Sequence, residues 1–365
     1  MDMTNTPSPQ LLHVFYTYML CQLPIFLAVM LFLFLLVSIV QKQRLMGLLH
    51  EGFVIQEQLL DPVLRRVYAQ RRFLRVGLGG LWILDGLLQA QPDMSSEFIP
   101  NIVNPIVSAQ PAILNNLFEP FVVLWSQNPL QFDLLAIWIQ VGLGLVLLFG
   151  GNSILMKIAL WLSIGWGVAV WIMGEGFGGI FTGEATWLMG APGSVLFYVV
   201  GAVFLILPVT AWKDQTVHRT LQWIMVILWL WAASIQAWPN SGFWTSQGLS
   251  STTLTMAEMP QPGFLAHMLY GVVHVLDANP ILWNSVFVIW MAVLGIGWIW
   301  RAKFPLVVPL TLLWLFVTWV IGQDFGVLGG LGTDPNSSPV VALLILAVYT
   351  RKHKLKGEPA LMSTV

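Results

Sequence analysis

Long apolar runs separated by short polar stretches dominate this chain. Nine are legible, at 23–40, 74–91, 132–150, 154–173, 194–212, 220–238, 282–300, 304–322 and 338–350. Most approach the roughly 20 residues that an α-helix needs to cross the hydrocarbon core of a bilayer. The last has only about thirteen clearly apolar residues, with Lys352, Lys354 and Lys356 placed beyond it to reach headgroups. The pattern predicts an all-α integral membrane protein. The composition agrees: 57% of residues are hydrophobic and 9% charged, far too few charges to cover a soluble domain.

Charge sets the expected topology. All 16 Lys and Arg fall in 42–75, at Lys157, in 213–219, in 301–303 and in 351–356. Nine crossings from an outside N-terminus put every one of these on the same side, which the positive-inside rule assigns to the cytoplasm. The outer stretches 91–131 and 239–281 contain no Lys or Arg, and most of the acids lie on that side; Asp85 is the one carboxylate placed within a span. The first run carries its basic cluster after it rather than before it, the arrangement of an N-out anchor helix rather than a cleaved signal peptide. Residues 45–64 mix Leu, Met and Val with His50, Glu51 and Glu57, which predicts an interfacial amphipathic helix. Arg65, Arg66, Arg71, Arg72 and Arg75 are expected at anionic headgroups. The predicted location is the cytoplasmic membrane of a prokaryote, with lipid as the first partner and nucleic acid not expected.

The chain also matches itself. Gln110-Pro111, Leu114 and Asn128-Pro129 recur as Gln261-Pro262, Leu265 and Asn279-Pro280 at an offset of 151. Residues 81–92 match 228–239 at 147, and 171–178 match 319–326 at 148. The offsets change in loops, where insertions are tolerated. The division predicted is an anchor with a basic segment (1–73), a first four-helix repeat (74–212), a parallel second repeat (213–350) and a basic tail (351–365). In each repeat a short outer helix follows Gln-Pro, and Asn-Pro opens the next span, as helix-start chemistry favours.

Arg75-x-x-Leu78-Gly79-x-x-Trp82-x-x-x-Gly86, the Asn-Pro entry and the glycines of the second helix, Gly142 and Gly144, resemble the DoxX/DoxD family of small four-helix membrane proteins. The resemblance covers two units, about 74–212 and 220–350; the second departs at Val226 and Ala233, where the first has Gly79 and Gly86. It implies a membrane subunit linked to quinone reduction and thiosulfate oxidation. An outer face without a single Lys or Arg is a poor attractor for a dianion, so a neutral quinone, a cation, or a membrane or exported protein partner suits it better.

Asp85 is the sharpest candidate site residue. A carboxyl inside a span is costly, and such residues face the bundle interior and mark ligand or proton paths. Gln89 lies one turn on. Glu175 and the Gln323-Asp324 pair end the third helix of each repeat in glycine-rich contexts, and are expected to line an outer vestibule with Asp85 or to form polar helix ends. Gly174-Glu175-Gly176-Phe177-Gly178-Gly179 follows a membrane helix rather than a strand, so it is not a dinucleotide fingerprint. His267 and His274 share a helical face with Met268 nearby, a weak soft-metal signal. Cys21 is the lone cysteine, which excludes CxxC chemistry and a cysteine-ligated iron–sulfur cluster. No span carries a well-placed His, so haem is not expected. Trp171, Trp187, Trp238, Trp244, Trp283, Trp298 and Trp300 are expected in aromatic belts at the interfaces. Three functions are compatible: a quinone-associated membrane subunit, a small-solute or cation transporter using the same vestibule, and a structural membrane scaffold.

Overall fold

The computed structural model describes residues 8–48, 61–151, 153–259, 261–323, 325–326 and 331–349, with side chains from 41 to 48 excepted. All regular structure among the described residues is helical. Helix α1 (Pro9–Leu48) is longer than the anchor expected from 23–40, and Pro24 lies inside it. It touches the rest at few points: the Trp138 indole donates to the Gln22 side-chain oxygen at 2.7 Å, and Phe26 stacks on Trp138 with ring centroids 4.6 Å apart.

Helix α2 (Pro62–Gln89) begins twelve residues before the predicted 74, because Pro62 sits at its first turn and the Asp61 carboxylate accepts the Val63 N–H at 2.8 Å. The arginine-rich stretch is therefore part of α2. Of the predicted amphipathic helix 45–64, residues 49–60 lie outside the described residues, while the ends belong to α1 and α2 respectively.

Helix α3 (Met94–Ser108) is bent 79° from α2 and carries a wide turn at Phe98–Val103. Helix α4 (Ala112–Gln127) follows Gln110-Pro111, and α5 (Pro129–Phe149) opens at Asn128-Pro129 as predicted. Helices α6 (Ile154–Met173) and α7 (Ser194–Ile206) complete the first half. Helix α7 stops six residues short of the predicted 212. Pro208 ends it, and the Arg71 guanidinium receives its last carbonyls, donating to Leu207 O at 2.6 Å and Leu205 O at 2.7 Å. That places a cation at the negative end of a helix dipole.

The remaining helices are α8 (Val209–Lys213), α9 (Thr216–Gln236), α10 (Ser246–Glu258), α11 (Gly263–Ala278), α12 (Pro280–Ile299), α13 (Val307–Ile321) and α14 (Ser337–Tyr349). Asn279 accepts the Leu282 N–H at 3.2 Å, the capping role its Asn-Pro context predicts.

Residues Pro9–Val40, α5, α6 and α12 are individually long and apolar enough to cross a membrane, and α2 with α3 forms a fifth candidate as a bent span. Helices α7, α11, α13 and α14 are apolar but shorter. Helix α14 is packed in the interior: Val340, Val341, Leu344, Ile345, Ala347 and Val348 are all buried against the rest of the protein. One continuous core runs through both halves, from Leu74, Leu78 and Trp82 of α2 through Phe197 and Tyr198 of α7 to Trp229 of α9 and the apolar face of α14.

The aromatic belt is a mixture. Trp238 and Trp300 are exposed, but Trp187 and Trp298 are fully buried. Their indoles donate to Thr318 at 3.0 Å and Thr311 at 2.9 Å. A tryptophan whose N–H finds a hydroxyl can be buried without leaving a polar group unpaired, which moves these two from the predicted belt into the core.

Candidate functional site

The α2–α5 pair positions the site. At Gly144 an added Cβ would stand 2.6 Å from the Gly79 carbonyl oxygen. Backbones this close leave no room for side chains between the helices, so α2 presents Trp82, Asp85 and Gln89 toward α5, α6 and α7. Asp85 is 2% exposed. The Tyr198 hydroxyl of α7 donates to it at 3.0 Å, and the Tyr198 ring meets Trp82 edge-on with centroids 4.8 Å apart. The Trp82 indole in turn donates to Ser163 at 2.9 Å. The carboxyl is thus held by Tyr198, which Trp82 and, behind it, Ser163 support, a chain that joins α7, α2 and α6.

One turn along α2, the Gln89 amide donates to Asp133 of α5. Asp133 is fully buried, and its second oxygen has no hydrogen-bond partner among the described residues. This corrects the reading of Asp85 as the one carboxylate within a span: Asp133, placed by the span map at the outer edge, is a second one inside the bundle.

Glu175 lies beyond the end of α6 and reaches the start of α7. It accepts the Ser194 N–H at 2.9 Å, the Val195 N–H at 3.2 Å and the Ser194 hydroxyl. Gly193 makes this possible: its φ is +105°, and a Cβ there would stand 2.4 Å from a Glu175 carboxylate oxygen. Burial, reinforced by the nearby Asp334 carboxylate, pushes the Glu175 carboxyl up to about 8 even though it caps a helix. Asp334 is raised by burial as well, while accepting the Asn336 N–H at 2.6 Å.

These groups meet at a cavity of about 290 Å³ enclosed by α2, α3, α4, α5 and α6. Asp85, Gln89, Glu175 and Asp334 form its polar end, and Phe98, Phe121, Phe132 and other apolar side chains form its walls. Leu124 and Leu135, each about half exposed, also line it, so the cavity reaches the apolar flank of the bundle between α4 and α5. The indole nitrogens of Trp125 and Trp166 and the side-chain oxygen of Gln140, all from lining residues, are buried without hydrogen-bond partners among the described residues. Buried donors without partners are costly, and a ligand acceptor would relieve that cost.

The structure therefore brings Asp85, Gln89 and Glu175 to one cavity and leaves Gln323 elsewhere. Gln323 is buried, donates to the Trp187 carbonyl at 3.2 Å and accepts the Ser338 N–H at 3.2 Å. It caps α14 as Glu175 caps α7. Asp324 lies outside the described residues. His267, Met268 and His274 are exposed on α11, where the His267 ring bonds the Gly263 carbonyl. Among the described residues no three His, Cys, Asp or Glu side chains converge as metal ligands.

Asp133 and Tyr198 went unread in the sequence, and Asp334 reads there only as part of Thr333-Asp334-Pro335-Asn336-Ser337, a turn or start signal for the last helix. A signal for the first was present. Gln89 and Asp133 stand at the positions matched by Gln236 and Asn284, and Gln236 donates to Asn284 at 2.8 Å. A polar pair recurring at the repeat offsets marks an interhelical contact. In the second half each acid of this set becomes neutral: Asp85 matches Ala232, Asp133 matches Asn284 and Glu175 matches Gln323. No protein-family model, no curated protein and no solved structure matches this chain.

Proposed function

We propose that this chain is a multi-span membrane subunit of DoxX-like type, with nine crossings in two parallel repeats, that binds the ring of a membrane quinone in the cavity at Asp85. The observation that carries this reading is the union of a lateral apolar mouth and a polar end in one cavity. A quinone resides in the hydrocarbon, so its route is sideways past Leu124 and Leu135. Its ring is flat and suits walls of Phe and Trp. Its carbonyl oxygens are acceptors, and the indoles of Trp125 and Trp166 supply donors that lack partners. Asp85, bridged to Tyr198, donates a hydrogen bond to the quinone oxygen at the closed end when protonated, and is the proton acceptor for the quinol hydroxyl when ionised.

The test is quenching of tryptophan fluorescence by a short-chain ubiquinone or menaquinone analogue, with the protein in nanodiscs. The expected result is saturable quenching, weakened at least tenfold by Asp85→Asn, which is ~1.4 kcal/mol, and slowed by Leu135→Trp at the mouth. Quenching that does not saturate, with no quinone extracted from the purified protein, would reject the reading.

A second reading follows from the same cavity. Asp85, Glu175 and Asp334 share it, and no Lys or Arg lines it, which favours a cation or proton path. Proteoliposome uptake of protons or monovalent cations that disappears in Asp85→Asn would replace the quinone assignment with transport. A stable protein partner without either effect would leave the scaffold role.

A further inference from the structure

A second cavity, of about 260 Å³, lies at the other end of α2. Tyr68, Arg71, Arg72 and Arg75 form one side, and Met156 and Leu205 lie among the apolar residues opposite. The four polar residues fall at spacings of three and four, hence on one face of the helix. Like charges at such spacings repel one another, so the cluster costs energy unless anionic groups offset it. Arg71 has part of that offset from the carbonyls of Leu205 and Leu207. Arg75 does not: one of its guanidinium nitrogens is buried with no hydrogen-bond partner among the described residues. No carboxylate lines the cavity.

We propose that this cavity binds the phosphate group of an anionic membrane phospholipid. A guanidinium fork matches two phosphate oxygens, and the cavity offers Arg72 and Arg75 together, with the Tyr68 hydroxyl as a further donor. A lipid is favoured over a free anion by what surrounds the arginines. Half the lining is apolar, and neighbouring positions on the same helices, Phe73 and Val76 of α2 and Ile158 of α6, are exposed and apolar, as contact with acyl chains requires. The level in the bundle also fits. Arg75 is ten residues from Asp85 along α2, about 15 Å, so the two cavities lie at different levels of the bundle. This site is independent of what occupies the Asp85 cavity.

The experiment uses the full chain, delipidated in detergent and then offered phosphatidylglycerol or phosphatidylcholine, with bound lipid read by native mass spectrometry. Wild type is expected to retain phosphatidylglycerol at least tenfold over phosphatidylcholine, and the double variant Arg72→Gln/Arg75→Gln to lose that preference. Arg72→Lys/Arg75→Lys, which keeps the charge, is expected to retain part of it. A third arm adds inorganic phosphate. Failure of phosphate to displace the lipid at millimolar concentration supports the lipid site, whereas displacement at micromolar concentration would reassign the cavity to a soluble phosphate. Equal retention of the two lipids by wild type, or undiminished preference in a folded glutamine variant, would overturn the proposal. If the glutamine variant does not fold, the wild-type lipid comparison decides alone.

Discussion

Gly144→Ala is expected to lower the stability of the folded chain by ~3 kcal/mol, the cost of overpacking where backbone must move. The added methyl group would stand 2.6 Å from the Gly79 carbonyl oxygen and 2.9 Å from the Ile83 nitrogen, both backbone atoms of α2. Neither can yield without separating α2 from α5, and separation in turn loosens Asp85, Gln89 and Asp133. Close approach at small residues is a main source of helix association in membranes, because lipid supplies no hydrophobic drive between helices. The second half contains a control. At Gly295 the nearest atoms, at 2.7 and 2.8 Å, belong to the flexible Leu230 side chain, so Gly295→Ala is expected to cost no more than about half as much. Thermal unfolding of both variants in the same detergent checks the ranking. Equal losses would mean that the two helix pairs are not held in the way described.

Raising the pH from 6 to 9.5 is expected to destabilise the protein, and Glu175→Gln is expected to remove ~2 kcal/mol of that loss. The sign follows from linkage. The Glu175 carboxyl is pushed up to about 8 in the folded protein by burial and by Asp334, whereas an unfolded glutamate titrates near 4.3. The folded state therefore binds more protons between those values, and stability falls as pH rises through the folded pKa. The full difference is not expected, because Glu175 is partly exposed and solvent screens part of the penalty. Glutamine keeps the capping oxygen without the charge, as Gln323 already does toward Ser338 at the matching position. Apparent melting temperature against pH for wild type and Glu175→Gln measures both effects. An unchanged slope in the variant would assign the titration to another group.

Much of the architecture was legible from local pattern. Apolar run length and the placement of Gly, Pro and Asn predicted helices close to α5, α6 and α12, and Gln-Pro and Asn-Pro located the starts of α4, α5, α11 and α12. These are local matters: a proline or a capping side chain acts within one turn of itself. The same logic failed where distant groups complete or surround an element. Helix α7 stops at Pro208, a local signal that the apolar run to 212 obscured, and the group that takes up its last carbonyls, Arg71, is more than 130 residues away in sequence. Helix α14 is surrounded by protein rather than lipid, and hydropathy cannot distinguish those two apolar surroundings. Trp187 and Trp298 left the expected belt for the core for a related reason, since only the fold supplies Thr318 and Thr311 to their indoles.

By itself the sequence determined the helical class, the apolar character, the helix-start signals and the interior placement of Asp85, because each depends on the cost of placing a given side chain or backbone group in a given medium. Only the tertiary structure decided which polar groups meet. It joined Asp85 to Tyr198 across 113 residues and Gln89 to Asp133 across 44, brought Asp334 to Glu175, and left Gln323 as a helix cap. Such meetings depend on which helix faces pack together, and packing is decided by the close approach of backbones far apart in the chain, which no local periodicity encodes.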